Sequence, residues 1–256
     1  MWCRVRNDRV FLVLLTALPG VAWLSLWVWG QSPYGRYLNH NALTEVTSED
    51  VAVLVLFVAG WSIMAFAMML PTSLPLVTLF NTMVRDRSDH LILMTLLLTG
   101  YLGVWVSFGI LIHVGDLAIH EVPRKTIWLT RNYWVIGAST LMIAGIYQFT
   151  PLNYHCLNKC RSPFSFVAGH WTGKNHWRQA FRLGIDHGIF CMGCCWSLML
   201  LMFAVGAGNI GWMLLLGAIM SIEKNMPWGR RISKPLGATL VAWAAAIAIG
   251  IGLYPL

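Results

Sequence analysis

Apolar blocks long enough to cross a bilayer recur along this chain, with short charged segments between them. About 20 apolar residues span a hydrocarbon core as a helix, whose backbone hydrogen bonds all close within the segment. The blocks cover about residues 10–30, 51–71 (apolar character continuing to 80), 91–114, 127–149, 183–205, 209–222 and 236–253. They predict an all-α fold: a polytopic transmembrane helix bundle of about seven spans. Residues 1–256 then form a single integral membrane domain. Pro71 and Pro75 are expected to break or bend the second span. The first block follows Arg4, Arg6 and Arg9 but lacks a small-residue cleavage site, so it reads as a retained span. The long hydrophilic stretch 151–182 reads as a loop.

Composition agrees. Apolar residues make up 57% and charged residues only 11%, where soluble domains carry about 25% charged residues. The net charge of +8 raises the question of nucleic acid. The basic residues stand between apolar blocks, however, which is how topology determinants are placed, so no nucleic-acid partner is expected. With the N terminus in the cytoplasm, 14 of the 18 Lys and Arg residues fall on the cytoplasmic side. The expected topology is therefore N-in/C-out in the bacterial inner (plasma) membrane, with the lipid bilayer as a partner and 151–182 as a cytoplasmic loop.

One block carries unusual chemistry. Cys191, Cys194 and Cys195 stand at i, i+3 and i+4, so a helix puts all three on one face. Met199 and Met202 continue the stripe. Met64 and Met68 form a second sulfur pair on the span beginning near Val51. Thiolate and thioether sulfurs select soft metals, Cu(I) above all, with zinc and iron as alternatives. The predicted ligand set is Cys191, Cys194, Cys195, Met64, Met68 and Met199. The competing reading is packing: Cys and Met are common gap-fillers between helices. Cys156 and Cys160, four apart beside His155, are secondary candidates that could receive or hand over a metal, and His187 is a third. A separate face with His113, Asp116 and His120 offers harder ligands at the outer end of the third span. Glu223-Lys224 reads as an exposed or interfacial pair, and Asn209 and Trp212 as turn and packing residues.

Several of these residues form a longer pattern. It comprises Trp61-x-x-Met64-x-x-x-Met68-Met69-x-Pro71-x-x-x-Pro75, Tyr147-Gln148-x-x-Pro151, Cys160-Arg161-x-Pro163, His170-Trp171 and Gly184. It continues through His187-Gly188, Cys191-x-Gly193-Cys194-Cys195-Trp196-x-Leu-Met199, Asn209-x-x-Trp212-Met213 and Glu223-Lys224. The pattern resembles the bacterial "predicted metal-binding integral membrane protein" family, a domain of unknown function, from Trp61 to about Gly237. The resemblance implies metal binding and supports Met64, Met68, Cys191, Cys194 and Cys195 as ligands. It implies no reaction, and His113, Asp116 and His120 lie outside it.

Three functions follow as expectations. The first is a copper(I)-binding membrane protein that stores, moves or delivers copper to a membrane or periplasmic cuproenzyme. The second is an accessory subunit of a larger membrane enzyme complex, its Cys/Met cluster serving packing. The third is a membrane enzyme using His113, Asp116 and His120. No catalytic residue is assigned, and a binding protein is expected rather than an enzyme.

Overall fold

The computed structural model describes residues 2–31, 51–125, 132, 134–172, 175–205 and 209–253. Helix α1 covers Trp2–Gln31 and packs on α2, Val51–Val84. Then come α3, His90–Lys125, and α4, Trp134–Tyr147. Two short helices follow, α5 (Pro151–Cys160) and α6 (Pro163–His170). The central helix α7 is His176–Val205, followed by α8, Ile210–Asn225. A single 3₁₀ turn at Gly229–Arg231 leads into α9, Ser233–Leu253. Among the described residues there is no strand, in line with the expected all-α class.

Seven spans are not supported. Among the described residues, four helical segments are long and apolar enough to cross a membrane: Val55–Val84, His90–Ile112, His176–Met202 and Gly229–Gly250. A fifth crossing arises only if α4 and α5, bent by 67° at their junction, count as one broken span. The block at 127–149 fails as a straight span because Thr150 and Pro151 start a new helix. Thr150 Oγ1 accepts from the Asn153 amide and proline takes the first helical position, where its missing N–H costs nothing. The block at 209–222 forms α8, whose 16 residues rise only about 24 Å.

The expected loop at 151–182 is instead mostly helical. It holds α5, α6 and the first turns of α7, and it buries Cys156, Leu157, Phe166 and Val167. Several of its polar residues serve as caps and cross-links. Gln179 Nε2 donates to Thr172 Oγ1 (2.6 Å), and His170 Nε2 meets Asp186 Oδ2 (3.0 Å). At the α2–α3 turn, Arg87 hydrogen-bonds Asp89 and holds its carboxyl below the usual carboxylate range; Trp177 Nε1 at the start of α7 donates to the same carboxylate (3.3 Å).

Helix α2 also runs on through Pro71 and Pro75. Pro75 has no N–H for the Pro71 carbonyl, and Asn225 Nδ2 from α8 donates to that oxygen instead (3.4 Å). Thr72 Oγ1 and the Tyr101 hydroxyl both donate to the Met69 carbonyl. Asn225 thus replaces one bond that the prolines remove, and Thr72 and Tyr101 add side-chain bonds to the same stretch.

Helices α3 and α7 form the closest pairing. A Cβ placed on Gly184 would lie 2.1 Å from the Leu97 carbonyl oxygen, and one on Gly100 would lie 2.4 Å from that of Phe181. Gly188, one turn beyond Gly184, would meet Val104 at 3.0 Å. Lipid tails are as apolar as leucine, so such helices associate through close backbone packing, which small residues permit. Gly145 and Gly237 do the same between α4 and α9. α7 is thereby pressed against α3, α4 and α5 along its length, with its cysteine face turned inward.

Candidate metal centre

Cys191, Cys194 and Cys195 are all buried on α7, as their spacing predicts. Cys194 Sγ lies 3.6 Å from Cys195 Sγ and 3.9 Å from Cys160 Sγ, so α5 brings a fourth thiol to the face. A metal–sulfur bond of about 2.3 Å puts two sulfurs about 3.8 Å apart around a tetrahedral centre and about 4.0 Å apart around a trigonal one. Separations of 3.6 and 3.9 Å are compatible with two sulfurs on a shared ion and equally with ordinary sulfur–sulfur packing. Cys160 is half-buried, whereas Cys156 and the three cysteines of α7 are buried, so Cys160 is the most exposed of the described thiols.

Cys191 lies on the same buried face and contacts Cys195, but its sulfur also has partners outside the trio. Its sulfur lies 3.2 Å from the Tyr101 hydroxyl and accepts from Lys224 Nζ at 2.9 Å. Accordingly, among the described residues no three His, Cys, Asp or Glu side chains close into a ready metal-holding group. The thiols meet pairwise instead, with Cys194 in the middle.

The other predicted residues divide. Cys156 packs its sulfur on α7, 2.6 Å from where a Cβ on Gly193 would sit, and the residue that approaches Cys194 from α5 is Cys160. Met64, Met68 and Met199 are each at most 4% exposed and share one apolar cluster with the α7 cysteines. Tyr101 bridges Cys191 to the Met69 carbonyl, which puts Met69 level with Cys191. Met64 then stands about 7.5 Å further along α2, towards Met199. His187 does not reach the thiols. Its Nε2 lies 3.2 Å from Ser73 Oγ, its ring stacks on Tyr101, and its Nδ1 is buried without a partner. The side chains of His113, Asp116 and His120 lie outside the described residues.

One reading is overturned. Glu223 and Lys224 are neither exposed nor paired with each other: they are 3% and 6% exposed and point to different partners. Glu223 Oε1 accepts from Ser233 Oγ (2.8 Å), while Lys224 Nζ reaches Cys191 Sγ and Thr72 Oγ1. The cause is the turn after α8. Arg161 donates to the Glu223 and Pro227 carbonyls, and Gly229 packs under Ile222, so the end of α8 folds inward. Charge inside an apolar block was the available signal. Tyr101 and Ser73, which join Lys224 and Cys191 in one buried polar chain, carried no sequence signal of their own. Asn209 does cap α8, accepting from the Trp212 amide (3.1 Å), and Trp212 packs edge-on to Trp243.

The chain matches the PpoB2 copper chaperone family over residues 58–247. It belongs to that family. The matched region contains every thiol described above together with Lys224. No match was found among curated proteins or among solved structures. A copper-related family accords with the metal-binding resemblance read from the motifs.

Proposed function

We propose that this chaperone is an integral protein of the bacterial inner membrane that carries Cu(I) on Cys194, with Cys160 and Cys195 beside it, and passes it to a membrane or periplasmic cuproenzyme. The observation that carries this reading is the convergence of thiols from two helices on Cys194. Copper here is cargo. It reaches half-buried Cys160 first, moves by thiolate exchange to Cys194 and Cys195, and has Met199, Met68 and Met64 as softer ligands further along the buried stripe. Pairwise rather than closed coordination suits a carrier, because an ion held by few ligands exchanges readily with an incoming one. Lys224 beside Cys191 supplies positive charge where bound thiolates accumulate negative charge.

The test is anaerobic loading of the detergent-purified chain with Cu(I), followed by competition with a chromophoric Cu(I) chelator. The expected result is tight retention in the wild type and loss in a Cys160→Ser/Cys194→Ser/Cys195→Ser variant. Equal retention by that variant would overturn the site. It would also favour the second reading, an accessory subunit whose sulfur residues fill the core, for which the complete burial of Cys191, Met199 and Met202 is the motivating observation.

A further inference from the structure

Lys224 is buried, and among the described residues no carboxylate lies within ion-pair distance of it. The nearest acid in sequence, Glu223, is engaged by Ser233. Its ammonium donates to Cys191 Sγ at 2.9 Å and to Thr72 Oγ1 at 3.3 Å. A buried cation without a counter-ion is costly, and such groups persist where function supplies the opposite charge. The groups able to supply it here are the thiols of α7 and α5.

We propose that Lys224 is the specificity-determining residue of the site, tuning it to a monovalent metal ion over a divalent one. The inference rests on the thiol site proposed above. Each thiol that takes up the metal gives its proton to water and binds as a thiolate. For any fixed number of thiolates, bound Cu(I) leaves the assembly one charge unit more negative than bound Zn(II). A fixed ammonium that hydrogen-bonds Cys191 and acts through space on Cys194, Cys195 and Cys160 stabilises the more negative assembly. Two thiolates and Cu(I) carry one net negative charge, which Lys224 neutralises. The same two thiolates with Zn(II) are neutral already, and the ammonium leaves them net positive in apolar surroundings. Lys224 acts through charge and not as a ligand, since an ammonium has no lone pair to offer.

The test compares Lys224→Met, Lys224→Gln and Lys224→Arg with the wild type, as full chains in detergent, titrated separately with Cu(I) and Zn(II) against competing chelators. The readout is the ratio of the two affinities, which a purely structural role would not move. Lys224→Met and Lys224→Gln are expected to lower the Cu(I)/Zn(II) ratio by at least about tenfold, and Lys224→Arg to keep it within about threefold. An unchanged ratio in the neutral variants, with Cu(I) still held by the cysteines, overturns the role of Lys224 and leaves the thiol site standing. A wild type that retains no Cu(I) overturns both. Should neither neutral variant fold, Lys224→Arg decides: loss of the ratio there overturns the charge argument.

Discussion

Cys194 touches two other thiols and donates to the Cys191 carbonyl, whereas Cys156 touches a glycine. At this scale the cysteines should therefore differ sharply. Cys194→Ser is expected to lower Cu(I) affinity by at least about 10–100-fold, since groups one shell further from a metal already cost that much. Cys156→Ala should leave affinity within about threefold and destabilise the fold by about 1 kcal/mol through the small void left on Gly193. Chelator competition and thermal unfolding measure the two effects on the same samples. A weaker effect at Cys194 than at Cys156 would contradict the geometry. The clustering of Cys191, Cys194 and Cys195 on one face was legible, because helical period alone dictates it. The choice of Cys160 over Cys156 as their neighbour was not, because it depends on how α5 bends off α4. Nor was the placement of Lys224 beside Cys191, since one lysine at a block boundary reads as a surface charge until the chain around it is seen to fold inward.

Among elements, the tightest constraint lies where α7 crosses α3. Gly184→Ala would push a methyl group into the Leu97 carbonyl, and neither backbone can yield without moving its helix. Overpacking of this kind costs about 1–3 kcal/mol, so the variant should unfold several degrees below the wild type. Gly103→Ala, on α3 but facing open space, is the control and should match or slightly exceed wild-type stability. The displaced α7 should also weaken Cu(I) retention in Gly184→Ala, because Tyr101 and Cys191 meet across the same crossing. Equal stability of the two variants would mean that the crossing is not what holds the helices together. Most helices were legible as apolar blocks. Their ends were not, for reasons visible in particular residues. Thr150-Pro151 splits one block into α4 and α5, while α2 continues through the two prolines expected to break or bend it, with Asn225 serving the carbonyl that Pro75 leaves without a donor.

Among the described residues, basic side chains gather at the α2–α3 turn and where α5, α8 and the start of α9 meet. Trp177 binds Asp89 at the first of these, beside Arg87 and Arg178, and Arg161 and Arg230 sit at the second. Gln31, at the C-terminal end of α1, belongs to the opposite side in an N-in arrangement. Positive charge is retained in the cytoplasm, so half-buried Cys160, next to Arg161, is expected to face inward. Cysteines introduced at exposed Arg231 and exposed Gln31 test this with a membrane-impermeant maleimide, read above the labelling of the parent chain. Arg231→Cys should react in inside-out vesicles and not in intact cells, and Gln31→Cys should do the reverse. The opposite pattern would turn Cys160 towards the periplasm, and the chaperone would then collect copper outside the cytoplasm rather than from it. Under the function proposed above, the orientation would set the direction of cargo flow: with Cys160 inside, copper would pass from Cys194 towards Met199 before reaching a periplasmic enzyme.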